Sequence, residues 1–175
     1  MKKADARTAN LLGAISLVTM DAVGRELSGL TDVGDSDWAA LVVVEQNPGI
    51  TVDRLAKILR LSQPGTVRLV DRLVAEGHVE RHQGTDRRAR PLRLTSPGQR
   101  MVRAMMLGRE KVLMNALDHL SADEKDTLSG LMEKMLQGVA RENDEIASDS
   151  ACRLCDGQAC PEDRCPLTPG CSKAA

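Results

Sequence analysis

Residues 50–95 read ITVDRLAKILRLSQPGTVRLVDRLVAEGHVERHQGTDRRARPLRLT. Two short amphipathic patterns come first, then a glycine break, then two strand-like runs joined by a charged turn. Thr51 is placed to cap a helix in which Val52, Leu55, Ala56 and Leu59 share one face. Ser62 is placed to cap a second, with Val67, Val70 and Val74 turned inward beside Leu73. The outward face of that second helix then carries Gln63, Thr66, Arg68 and Arg72, donors and cations suited to a groove lined by phosphates and base edges. Gly77 ends the helix. Residues 78–83 and 90–95 read as strands around a turn of Gly84, Thr85, Asp86, Arg87, Arg88 and Ala89. Helix, turn, helix and basic hairpin in this order predict a winged helix–turn–helix.

The charge distribution agrees. Residues 51–95 hold ten Lys or Arg against five Asp or Glu, a net charge near +5 in a chain whose total is −1. A basic segment in an otherwise acidic protein points to a focused contact with a polyanion rather than to general stickiness.

The run LSQPGTVRLVDRLVAEGHVERH, followed by GTDRRARPLRLTSPGQ, resembles the MarR-type (multiple-antibiotic-resistance) transcriptional regulators. Leu61, Ser62, Arg68, Leu69, Val70, Asp71, Arg72, Leu73, Gly77, Val79 and Arg81 match the first part of the family's pattern. Asp86 and Arg88, then Leu92, Leu94, Thr95 and Gly98, stand at its wing positions. The match covers about a quarter of the chain. Gly65-Thr66-Val67 departs from the family's frequent hydroxyl–apolar–hydroxyl run, which puts the base-reading face in question, and His78 replaces an aliphatic residue. The resemblance implies a wing that enters the minor groove, with Arg88 as the probing guanidinium and Asp86 tying the turn to a nearby Arg. Ser62, Gln63, Thr66, Arg68, Arg72, Arg87, Arg88 and Arg90 form the expected DNA-contacting set. Of these, Arg68 or Gln63 is expected at a base edge or phosphate and Arg72 at the backbone. Arg87, Arg90 and Arg93 read either as phosphate contacts or as solvated cations.

The rest of the 175-residue chain reads as helix. With one Trp and no Phe or Tyr, the core must come from Leu, Val, Met and Ala, which favours helices over a sandwich. The expected fold is therefore mainly α with a small β-wing. Leu11, Leu12, Ile15, Val18, Ala22 and Val23 mark a helix over about 5–30. Ser36 is placed to cap a short helix through Trp38, Leu41, Val42 and Glu45, closed by Asn47-Pro48-Gly49. Trp38 reads as core rather than as a ligand-stacking ring. Ser96-Pro97 opens a helix over about 96–120, and Ser121-Ala122-Asp123-Glu124 is a capping-box signature for another over about 121–147. Leu128, Leu131, Met132, Met135, Leu136 and Val139 give that last helix the cleanest stripe in the chain.

These flanking helices carry more apolar face than a winged helix over about 36–95 can cover. The expectation is a homodimer formed through them, as the resembling family does, reading a pseudo-palindrome on double-stranded DNA. His78, His82 and His119 show no metal spacing and read as structural. No signal peptide and no apolar run of about 18 residues stand out, so a cytoplasmic location without membrane contact is expected.

The resemblance stops near Ala147, giving domains of 1–147 and a tail of 148–175. All five cysteines lie in that tail, at Cys152, Cys155, Cys160, Cys165 and Cys171. Clustered cysteines in a cytoplasmic protein favour metal or redox chemistry. Four thiolates suit a tetrahedral zinc ion. An iron–sulfur cluster, a reversible thiol switch and an inert tail remain open beside it. The expected function is a DNA-binding transcriptional regulator, a repressor in sense, tuned by this tail or by a small organic effector in a cleft beside the dimer helices. Two other classes compete with it. One is a winged helix that binds protein; the other is a metal- or redox-handling enzyme on the cysteines, for which no acid, base or nucleophile elsewhere speaks. The expectation is not an enzyme.

Overall fold

The computed structural model describes residues 3–30, 34–82, 90–140, 145–157, 159–160 and 166–167. Among these described residues the elements follow in the order α1 (Lys3–Leu30), α2 (Asp35–Gln46), α3 (Val52–Leu59), α4 (Gln63–Ala75), β1 (Val79–Arg81), β2 (Leu92–Leu94), α5 (Ser96–Leu117), α6 (Ala122–Ala140) and α7 (Glu145–Cys152). The mainly helical fold with a small β-wing is present as the sequence predicts.

Helix α2 sits at the centre. Every residue from Trp38 to Val44 is buried, so this helix is apolar all round and must be wrapped on all sides. Leu55 and Ile58 of α3, Leu69, Val70 and Leu73 of α4, Val79 and Leu92 of the strands, and Val102 and Met105 of α5 complete the core around it. Val23 and Leu27 bring the C-terminal half of α1 into the same cluster. Trp38 is core, as expected, at 3% exposure. Its cap differs from the expectation: the helix begins after Gly34, and Ser36 lies in the first turn. The Asp37 carboxylate in the first turn reaches back to accept from the Gly34 N–H at 3.2 Å, fixing the helix start without a capping hydroxyl.

The other caps fall where local chemistry puts them. Thr51 accepts from the Arg54 N–H at 3.3 Å and Ser62 from the Gly65 N–H at 3.3 Å. Thr95, one residue before the expected opening, accepts from the Gly98 N–H at 3.1 Å, with Pro97 tolerated in the first turn. The Ser121–Glu124 capping box forms in both directions: Ser121 N–H donates to Glu124 Oε2 at 2.8 Å, and Glu124 N–H to Ser121 Oγ at 3.4 Å. These two bonds from Ser121 hold the Glu124 carboxyl below its ordinary pKa.

The strands pair antiparallel in the register Val79 with Leu94, Glu80 with Arg93 and Arg81 with Leu92. They are shorter than the predicted runs, and Ile50 adds a single bridge to Leu92 from the far side. Gly49 makes that approach with a positive φ of 92°, donating to Leu92 O at 2.9 Å.

Helix α1 lies along α5, with Lys111 Nζ on Glu26 Oε1 at 2.9 Å. Leu11, Leu12, Ile15, Leu17 and Val18 of α1 nevertheless stand exposed, as do Leu131, Met132, Met135 and Leu136 of α6. Helix α7 runs across position 148, the expected start of the tail, and packs on α3.

Candidate nucleic-acid interface

Helix α4 and the turn before it present the candidate reading face. Helix α3 ends on Arg60, which takes a left-handed conformation (φ 55°) and donates back to Lys57 O. That tight stop swings the chain through Leu61 into the Ser62 cap. Among the sites expected to read DNA, Ser62, Gln63 and Arg68 are exposed on this face. Arg68 has no ion-pair partner among the described residues and is free to reach outward. Gln63 is held: its Nε2 donates to Asp53 Oδ1 of α3 at 2.6 Å, which fixes the side chain across the start of the reading helix.

Two residues sit differently from the sequence expectation. Thr66 is wholly buried at 0% exposure, with its hydroxyl donating to Ser62 O at 3.1 Å, so it faces the core rather than a groove. Val67, expected inside, is 37% exposed. The helix is rotated relative to the expected face because Leu69, Val70 and Leu73 set the stripe that meets the core, and Thr66 precedes Val70 by one turn. Thr66 is small enough to bury once its hydroxyl is satisfied within the helix.

Arg72 is also engaged. Its guanidinium pairs with the buried Asp37 carboxylate, which also caps α2. The pair ties the reading helix to the central helix, and the two residues lie 35 positions apart, so no local pattern announces it. Asp71, on the same helix, takes Arg81 of β1 at 2.9 Å and fixes the root of the wing. Arg90 is exposed beside β2. Asp86, Arg87 and Arg88, the wing tip, lie outside the described residues.

His82 Nε2 meets Glu80 Oε1 at 2.7 Å on the wing. The Nδ1 of His78 and the Nε1 of Trp38 are buried without a hydrogen-bond partner among the described residues. Trp38 lines a cleft of about 320 Å³ together with Met20 and Asp21 of α1, Leu59 and Leu61 of the helix–turn–helix, and Arg153 and Leu154 after α7.

Of the expected metal or redox residues, Cys152 closes α7, Cys155 follows one turn later and Cys160 is exposed; none of the three is in a disulfide. Cys165 and Cys171 lie outside the described residues. Among the described residues, no three or more His, Cys, Asp or Glu gather as they would around a metal ion. The Cys155 thiol is pushed down to about 6, first by a hydrogen bond from Cys152 and then by the Arg109 and Arg153 cations, against the opposing effects of burial and Asp156.

The sequence profile of the MarR family matches residues 28–89, from the end of α1 to the wing. Solved structures share the architecture well beyond that segment. The chain aligns with Rv1404 of Mycobacterium tuberculosis at 22% identity and a TM-score of 0.66, over 83% of this chain and 99% of that one. Apo MarR from E. coli aligns at 26% identity and a TM-score of 0.62, over 73% and 96%. The M. tuberculosis MarR family protein Rv2887, solved in complex with p-aminosalicylic acid, aligns at 21% identity and a TM-score of 0.59, over 73% and 96%. Residues 28–89, which hold the helix–turn–helix and the first wing strand, thus match the MarR family, and the fold as a whole is that of solved MarR-family winged-helix regulators.

Proposed function

We propose that this chain is a sequence-specific repressor that binds double-stranded DNA as a homodimer and dissociates from it on an effector signal. The observation that carries this reading is the outward face of α4, where Arg68 and Gln63 stand exposed within the one basic segment of an otherwise acidic chain. Two such faces, related by a two-fold axis and about 34 Å apart, would enter successive major grooves. The exposed apolar stripes of α1 and α6 supply the surface for pairing, since patches of this kind on a monomer are rare and mark interfaces.

The Trp38 cleft suits a small amphipathic effector. An indole N–H left without a partner among the described residues costs free energy unless a ligand or water meets it. A relative has been solved with p-aminosalicylic acid, an anion of that general kind. Arg153 supplies the cation on the cleft wall here.

Fluorescence anisotropy with duplex DNA tests the reading helix. Arg68→Ala is expected to weaken binding by on the order of 1–3 kcal/mol while leaving the fold intact. Wild-type affinity in that variant would remove α4 as the reader, and binding that ignores salt would favour a winged helix that recognises protein instead.

A further inference from the structure

The first residues of the cysteine tail, 149–155, are fastened to the reading head. Asp149 of α7 takes Arg54 Nη2 of α3 at 2.8 Å, and the Ser150 side chain beside it is buried. Leu154 packs against the main core. Gln46, the last residue of α2, donates from Nε2 to Cys155 O at 2.6 Å. Between these anchors the chain makes one tight turn, Cys155 N–H donating to Cys152 O at 2.9 Å. The turn brings the two thiols into hydrogen-bond contact, with Arg109 of α5 and Arg153 as the nearby cations and Asp156 as the opposing anion. The two residues between the thiols, Arg153 and Leu154, are also wall residues of the Trp38 cleft.

We propose that Cys155 and Cys152 are a dithiol–disulfide switch, with Cys155 the attacking sulfur and Cys152 the resolving one, whose reduced state holds the tail against α2 and α3. The oxidant is a hydroperoxide. Cys155 sulfur attacks one peroxide oxygen; the S–O bond forms as the O–O bond breaks, and the leaving hydroxide or alkoxide takes up a proton. The sulfur is oxidised by two electrons to the sulfenic acid and the peroxide is reduced. Cys152 then attacks Cys155 sulfur, the S–S bond forms, the S–O bond breaks, and hydroxide leaves as water with the Cys152 proton. With hydrogen peroxide the sum is two thiols and one peroxide giving one disulfide and two waters.

Closing the bond draws the sulfurs from hydrogen-bond contact to about 2.05 Å. The spacer between them must then move, and both Leu154 in the core and the Cys155 carbonyl on Gln46 move with it. Oxidation therefore works against docking, and docking against oxidation, by the same free energy. The loss falls on α3, the first helix of the helix–turn–helix. That consequence for DNA rests on the function proposed above; the sulfur chemistry does not.

The full chain, purified without oxygen or chelator, is treated with one equivalent of hydrogen peroxide, peptide-mapped by mass spectrometry, and titrated onto duplex DNA before and after. The expected product is a single Cys152–Cys155 disulfide. Iodoacetamide should label Cys155 faster than Cys160, with a pH midpoint near 6. Cys152→Ser should stop at a dimedone-trappable sulfenic acid on Cys155, and Cys160→Ser should leave the disulfide unchanged. Oxidation should weaken DNA binding by on the order of ten-fold. Protein that carries zinc or iron with its thiols shielded until chelation would overturn the pair, as would a disulfide joining other cysteines. A Cys152–Cys155 disulfide without change in DNA affinity would overturn the switch while leaving the DNA reader standing. Absence of DNA binding in the reduced state would instead strike the proposed function and leave the sulfur result to be judged by the peptide map.

Discussion

Gly98 shows how little room the fold leaves where α5 meets the wing. A Cβ built there would lie 2.1 Å from the His78 carbonyl oxygen, a backbone atom that cannot step aside. Thr95 completes the joint, its hydroxyl donating to Gly77 O at 2.6 Å while it caps α5. The threonine and glycine three residues apart are thus one device: the first fixes the helix start, the second lets it press on the strand before it. Gly98→Ala is expected to destabilise the protein by about 1–3 kcal/mol, read as a lower midpoint in urea unfolding. An unchanged midpoint would mean the two backbones separate at no cost. At this scale the sequence was legible where signals are local. Thr51, Ser62 and Ser121 cap where hydroxyl chemistry puts them. Thr66 and Val67 exchanged their expected faces because burial on α4 is decided by the helices it meets, not by polarity alone. The pairing of Arg72 with Asp37 was invisible for the same reason: it is a tertiary contact between two ordinary surface residue types.

At the scale of elements, periodicity placed the helices of the family segment within a few residues, since long amphipathic stripes are a strong local signal. The Ile50 bridge is one residue long and leaves no pattern to read. Helix α7 escaped because its eight residues are short, polar and set in a stretch whose composition speaks of cysteines rather than of helix. Its docking carries a pH dependence with a definite sign. Cys155 ionises near 6 in the folded chain against an ordinary value of 9, so the thiolate favours the docked turn. A depressed pKa contributes stability that is full above the ordinary value and is lost as pH falls through the folded one. Hydrogen exchange at residues 150–155 is therefore expected to be protected most at pH 9, less at pH 7 and least at pH 5. Equal protection across that range would separate docking from the thiolate and leave it to Arg54, Gln46 and Leu154 alone.

For the whole molecule, the charge and most of the exposed apolar surface lie on different elements. The basic residues cluster in the segment 51–95, while the longest runs of exposed apolar side chains lie on α1 and α6, away from it in sequence. Such a division is what a dimer needs: one surface to join two copies, another to meet a polyanion. A dimeric DNA reader needs both surfaces to act together. Sedimentation of the full chain alone and on a random-sequence duplex, at two salt concentrations, reads them in one measurement. It should show a dimer before DNA is added, two chains on each bound duplex, and an affinity that falls steeply between about 50 and 200 mM salt. A monomer that stays monomeric at micromolar concentration, or binding indifferent to salt, would contradict it.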